Sequence, residues 1–450
     1  MINVDRAKGS VLYTPDGREI IDGISSWWLN MHGHCHSKIV EAVQAQAGRL
    51  DQVIFAGFTH DPAERLTRKL LSRVKESFDG MDGKRLEFAF YSDSGSTAVE
   101  VALKMAAGYF AQNADAENQK RTKILALDGG YHGDTFGTMS TGSRGVFNEI
   151  YEPYLFDVHH LPFPSEGTEL KTLDALDIWL EKHGDECAAF IFEPLVQGAA
   201  GMKMYAPQIL REMAIKCREK GVLLIADEVM TGFGRTGSFF ACEQAGIIPD
   251  FLCLSKGLTG GYLPMGATLT QRDVYKAFYH DDKAKQFFHS TSFTGNPMAC
   301  AAALASLDIW EEEDVFAQIY DIEREHRKAA GWFAARPDVS DVRVIGSIFA
   351  LDVIDNVDGY LSQVGSQIYD FMLAHDVLLR PIGNTIYVLP PYCTERAQLE
   401  RIYETLWHGL DSLRAPHVHQ NNGPSVLKDP QNNNRYSPQR HQPAYNRRAA

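Results

Sequence analysis

Short apolar runs alternate with amphipathic stretches through the first two thirds of the chain. LEFAFYS (86–92), KILALDG (123–129), AAFIFEP (188–194), VLLIADE (222–228), FLCLS (251–255) and GATLT (266–270) are strand candidates, each bounded by glycine or polar turn residues. Several lack a two-residue alternation, which is the pattern of strands covered on both faces. Helical stretches lie between many of them, for example 94–113 and 207–220. Strands that alternate with helices predict an α/β fold, a mostly parallel sheet with helices on both sides.

From about residue 297 the pattern changes to a long helical region broken by acidic turns, and then to mixed strands and helices up to about 412. This organisation predicts a large α/β domain over 45–295. A smaller α+β domain is expected from residues 1–44 and 296–412 together. Residues 413–450 are rich in Asn, Gln and Pro with few apolar positions. Such a segment buries too little surface to offset its ordering entropy, so a disordered tail is expected there.

Composition narrows the class. Of 450 residues 44% are hydrophobic and 23% charged, as in ordinary globular proteins. The formal net charge of −14 argues against a nucleic-acid partner or an anionic membrane surface, both of which favour basic footprints. No uninterrupted apolar run reaches membrane-spanning length. The start, MINVDRAKGS, has no apolar h-region of a secretory signal. Seven cysteines without a C-x-x-C pair suit free thiols in a reducing compartment, and a cytoplasmic location is expected.

The chemistry concentrates in a few places. In DFLCLSKGLTGGYLPMG (250–266), Lys256 follows a buried-strand pattern, where an ammonium loses hydration unless it is paired or deprotonated. A snorkelling lysine is the plain alternative. Asp227 ends the strand in LLIADEVMTGFGRTG, 29 residues before Lys256. In an open α/β sheet the carboxyl ends of strands form the ligand crevice, so acid and amine face one site. YSDSGSTAVEV (91–101) puts Gly95 and Ser96 at a helix start, open to an anion or simply capped. Pyridoxal 5′-phosphate needs an amine for its aldehyde, a carboxylate for its ring nitrogen and a phosphate cradle. Tyr131 in YHGDT offers a face for the ring.

Two other patterns compete. GFGRTG (232–237) matches a dinucleotide-binding fingerprint, but five residues separate it from the strand end and no clear second strand follows. A nicotinamide-dependent oxidoreductase is therefore the distant alternative. HGHCHS (32–37) holds four possible metal ligands without a partner cluster. It reads as a loop and helix start, with no metal site expected.

ADEVMTGFGRTG, LSKGLTGGYLPMGATLT, YSDSGSTAVEVALKMA, GYHGDTFGTMS and HSTSFTGNPMACAAA resemble, in order, the motifs of the class III, fold-type I pyridoxal-phosphate aminotransferases. The resemblance runs from about residue 10 to 410. It implies a large domain with a mostly parallel seven-stranded sheet, a smaller α+β domain, and a homodimer with shared active sites. Lys256 would carry the cofactor aldehyde, Asp227 would hold the ring nitrogen, and Gly95 with Ser96 would bind the phosphate. Thr291 and Ser292 would help across a dimer interface, and Tyr131 would stack on the ring. Trp27 and Tyr387 would line the substrate cleft, Ser290 would lie beside substrate, and Arg380 would clamp a carboxylate.

DGISSWW (22–28), EPLVQGAAGMKMY (193–205) and LLRPIGNTIYVLPPY (378–392) point further, to members that aminate 8-amino-7-oxononanoate in biotin biosynthesis with S-adenosylmethionine as donor. Another ω-aminotransferase or an aminomutase on the same scaffold is the near alternative. Relatives that use 2-oxoglutarate typically read Q-G-E-A-G, where this chain has Gln197-Gly198-Ala199-Ala200-Gly201. No carboxylate there would cover Arg380, which disfavours ornithine-type or 4-aminobutyrate-type specificity. The family's W-H-P-Y stretch, expected before the region aligned with Met1, has no counterpart in this sequence.

Overall fold

The computed structural model describes residues 1–81, 83–113, 120–145, 148–355, 359 and 361–414. From residue 415 onward, the expected tail lies outside the described residues. All features below belong to one compact unit, Met1–Leu413.

A seven-stranded sheet carries the site. Its spatial order is Leu86–Ser92, Gly266–Gln271, Phe251–Leu254, Leu223–Asp227, Cys187–Phe192, Lys123–Leu127 and His159–Leu161. Gly266–Gln271 is antiparallel to both neighbours, and the other pairings are parallel. The expected α/β architecture and mostly parallel sheet are present. His159–Leu161 escaped the sequence reading because three residues are too few to show a pattern.

The missing alternation has a direct cause. Every residue of Cys187–Phe192 is buried. Ala189 and Ile191 face a core that contains Val99, Ala102 and Ala106 of the helix Gly95–Gln112. Phe190 and Phe192 face the opposite core, with Leu210, Met213 and Cys217 of the helix Pro207–Glu219. Both faces of the strand are dry, so both sets of positions must be apolar. Full burial of Phe190, Ile191 and Phe192 contributes roughly 1.5–3 kcal/mol each.

The ends of the chain meet. Arg6–Lys8, Val11–Tyr13 and Glu19–Asp22 form an antiparallel run, and Val377–Leu378 joins it in parallel beside Glu19–Asp22. Asp22 lies opposite Leu378, so the chains leaving both strands, toward Trp27 and Arg380, emerge side by side. Val339–Ile345, Ile348–Val353 and Thr385–Val388 make a separate antiparallel sheet. The helix Pro297–Glu312 is buried almost all round, and Asn296 caps it by accepting from Met298 and Ala299 N–H.

Candidate active site

Parallel strands deliver their carboxyl ends to the same edge of the sheet, and a cavity of about 760 Å³ opens there. Asp227 is the last residue of its strand and pairs in register with Cys253. Lys256 follows the neighbouring strand by two residues. Both line the cavity with Gly95, Ser96, Tyr131, Trp27, Arg380 and Tyr387. One space therefore collects eight residues that the sequence reading had singled out.

Lys256 sits at the floor with φ +39°, a left-handed conformation strained for a lysine. Its Nζ lies 4.7 Å from the centre of the Trp28 ring. Burial drives the amine down to about 8, and Arg235 acts in the same direction, while Asp227 and Glu193 oppose it. A lowered amine pKa raises the share of the unprotonated form that carbonyl condensation requires.

Asp227 is 5% exposed, and its carboxylate is held from two sides. Val229 N–H donates to Oδ1 at 3.1 Å, and His132 Nδ1 lies 2.8 Å from Oδ2. His132 is buried too, and its Nε2 has no hydrogen-bond partner among the described residues. The imidazole thus fixes the rotamer of Asp227 while the carboxylate still lines the cavity. Beside it, Glu193 accepts from Tyr131 N–H and Gly198 N–H, each at 3.0 Å. Burial pushes Glu193 up to about 7, with the Asp227 charge adding to the rise.

The anion end is built by a helix start. Ser94 caps Gly95–Gln112 by accepting from Thr97 N–H at 3.2 Å, and Thr97 Oγ1 accepts from Ser94 N–H at 2.9 Å. The first intrahelical bond is made by Ala98 to Ser94 O, which leaves the N–H groups of Gly95 and Ser96 ahead of it. Side chains are excluded here. A Cβ on Gly95 would come within 2.7 Å of Val229, and one on Gly133 within 2.1 Å of Ser96 Oγ.

The upper wall is aromatic. Arg380 lies 4.5 Å over the Trp27 ring, and no acid within the described residues forms an ion pair with it. Ala199 lines the cavity at the position that offers no carboxylate. Trp28 Nε1 donates to Tyr387 OH at 3.0 Å, and the two rings meet edge to face at 6.0 Å. Tyr131 OH donates to Asp134 Oδ2 at 2.9 Å, and burial raises this phenol well above its usual range.

Three singled-out residues lie elsewhere. Ser290, Thr291 and Ser292 do not line the cavity of their own chain. Thr291 Oγ1 donates to Asp93 Oδ1 at 2.9 Å, and Ser292 O accepts from Gln52 at 3.0 Å. Conversely, Trp28, His132, Asp134, Glu193 and Arg235 were missed. All five sit in quoted motifs, DGISSWW, YHGDT, EPLVQGAAG and GFGRTG, but nothing in those strings says which residue faces the ligand.

The profile of aminotransferase class III matches residues 1–410. The chain belongs to the class III aminotransferases. It is 46% identical over 420 residues to the adenosylmethionine-8-amino-7-oxononanoate aminotransferase of Synechococcus elongatus, covering 92% of this chain and 95% of that protein. The enzyme of the same name from Helicobacter pylori is 37% identical, with 92% and 93% covered. Among solved structures, the adenosylmethionine-8-amino-7-oxononanoate aminotransferase of Methanocaldococcus jannaschii superimposes with a TM-score of 0.85 at 33% identity, covering 92% and 93%. An aminotransferase from Vibrio fluvialis in its PMP-bound form gives 0.83 at 26%, with the same coverage.

Class III aminotransferases work with pyridoxal 5′-phosphate, and the residues of this aminotransferase fit it. The cofactor's aldehyde, ring nitrogen and phosphate call for an amine, a held carboxylate and an anion cradle, and Lys256, the braced Asp227 and the side-chain-free helix start at Gly95–Ser96 are groups of those kinds in one cavity. The competing patterns are used otherwise. In GFGRTG, Arg235 is fully buried and donates to Pro390 O and Trp28 O, so the loop is a packed turn rather than a dinucleotide cradle. In HGHCHS, His32 bonds Ser306, His34 bonds Asp22 and His36 bonds Glu313. No group of metal-ligating side chains occurs among the described residues.

Proposed function

We propose that the protein transfers an amino group from S-adenosylmethionine to the ketone of 8-amino-7-oxononanoate, giving 7,8-diaminononanoate for biotin biosynthesis. The observation that carries the reading is the placement of Lys256 and Asp227 at adjacent strand ends in one cavity that also holds Arg380 and the two indoles. The relative at 46% identity bears that enzyme's name over nearly its whole length.

Pyridoxal 5′-phosphate, when bound, supplies an electron sink that makes the carbon bearing the amine acidic. The residues divide the remaining work. Lys256 would hold the cofactor at its aldehyde end, and its amine is placed to take a proton from the substrate carbon that bears the amino group. Its lowered basicity makes the neutral amine accessible near pH 8. Asp227 supplies fixed negative charge, and His132 keeps it aimed. Tyr131 would supply a ring face against the cleft, and the N–H groups at Gly95 and Ser96 would receive the phosphate. Arg380 binds the acceptor's carboxylate through its planar fork beside Trp27, while the buried Trp28 and Tyr387 exclude water.

Thr291, Ser292 and Ser290 fit this reading as contributions to the site of a second copy, so a homodimer with shared sites is part of the proposal. Within each copy, residues 45–295 act as the cofactor domain, and 1–44 with 296–412 act as the smaller one. No described helix is long and apolar enough to cross a membrane, and we place the reaction in the cytoplasm.

The test is product formation from 8-amino-7-oxononanoate with each candidate donor, S-adenosylmethionine, lysine and 2-oxoglutarate-linked amino acids, in wild type and Lys256→Ala. The variant should lose the visible band of the tethered cofactor and at least about 100-fold in turnover. Full turnover in Lys256→Ala would refute the mechanism. A different aminated product in wild type would favour the ω-aminotransferase or aminomutase alternative.

A further inference from the structure

Residues Ser25, Ser26, Trp27 and Trp28 have φ of +50°, +46°, +73° and +73°. This is one turn of left-handed helix built from four consecutive non-glycine residues. Trp28 N–H donates to Ile24 O at 2.8 Å, and Leu29 N–H to Ser25 O at 3.1 Å. L-residues visit this region singly, and a run of them persists only where the surroundings over-determine it.

The surroundings here converge on one carboxylate. Asp22 is fully buried. Its Oδ1 accepts from Ile24 N–H at 3.2 Å and Ser26 N–H at 3.0 Å. Its Oδ2 accepts from Ser26 Oγ at 2.8 Å and lies 2.8 Å from His34 Nε2. Asn30 Nδ2 donates to His34 Nδ1 at 3.0 Å, which leaves Nε2 as the donor to Asp22. The far side of the turn is tied by Ser25 Oγ to Leu389 O at 2.8 Å.

We propose that Asp22 is a positioning residue for the transamination: it locks the left-handed turn that sets Trp28 against Lys256 and Trp27 against Arg380. A right-handed turn between the same end points would carry the two indoles to different directions, because successive side chains advance with the opposite hand. Asp22 is also in register with Leu378, two residues before Arg380, so one strand pair carries both the lock and the guanidinium. The inference rests on the aminotransferase reading above.

The experiment uses the holoenzyme with Ser26→Ala, Ser26→Gly, Asp22→Asn and the double variant Asp22→Asn/Ser26→Gly. The two Ser26 variants delete the same hydroxyl and differ only in tolerance for positive φ. Ser26→Gly should keep a kcat/KM about fivefold or more above that of Ser26→Ala. Asp22→Asn should lose about 10- to 100-fold in kcat/KM, mainly through KM for 8-amino-7-oxononanoate, with a weakened near-UV circular dichroism of the paired indoles. Ser26→Gly in the Asp22→Asn background should restore part of that loss.

Equal kcat/KM in the two Ser26 variants, or an Asp22→Asn protein with wild-type KM and wild-type near-UV signal, overturns the proposal. Should Asp22→Asn fail to fold, the Ser26 pair alone decides it, since Ser26 is a small, partly exposed position. A wild-type protein that forms no product contradicts the proposed function instead, and the near-UV comparison of the Ser26 variants then decides whether the turn is strained and locked.

Discussion

Replacing Lys256 by methionine is expected to stabilise the cofactor-free protein at neutral pH. Methionine fills the same unbranched volume and has no charge to desolvate. In the fold the lysine amine falls from 10.5 to about 8, chiefly because it is buried. At pH values below both figures that gap disfavours the folded state by about 3 kcal/mol. The unfolded chain binds the proton more tightly, so stability rises with pH between about 8 and 10.5 and the penalty fades there. It should be about 2 kcal/mol at pH 9 and about 1 kcal/mol or less at pH 10. The assay is urea unfolding of both cofactor-free proteins at pH 7, 9 and 10. The decisive quantity is the change in the difference between variant and wild type, because other titrating groups cancel in it. A stability difference that stays constant across this range would refute the claim that Lys256 is held as a destabilised amine. Function explains why such a residue is tolerated. An amine free of strong ion pairing is available to react, and a salt-bridged one is not.

Two further outcomes are expected. Glu193 is raised from 4.5 to about 7 by burial, so the folded state holds its proton more tightly and stability falls as pH rises through this window. Wild type should lose about 2–3 kcal/mol between pH 5 and 8 relative to Glu193→Gln, measured by urea unfolding; parallel profiles would contradict the assignment. Arg380→Lys keeps the charge but loses the planar fork over Trp27. It should raise KM for the carboxylate-bearing acceptor by about tenfold or more while kcat changes little, and a fall in kcat alone would place Arg380 outside acceptor binding.

Much of the sheet could be read from the string because dry strands must be apolar on both faces. Cys187–Phe192 and Phe251–Leu254 are such strands, and six of the seven were found within a residue or two of their ends. Lys256 and Asp227 were legible for the same reason: a charged group that interrupts an apolar run has to be placed somewhere useful. Local chemistry also marked the helix start at Ser94–Thr97. The partners of these residues were less visible. His132 lies 95 positions from Asp227 and Glu193 lies 62 from Tyr131, so no local pattern couples them.

The left-handed turn was hidden most completely. Ser25–Trp28 contains no glycine or asparagine to announce positive φ, and its stability comes from Asp22, His34 and Leu389, which only the folded chain brings together. By itself the sequence determined what must be buried and which reactive groups the burial would strand, because hydration and periodicity act residue by residue. Tertiary structure alone decided how those groups are braced, aimed and stacked. Contacts between distant segments, rather than local preference, supply the free energy that holds strained backbone and buried charge in place.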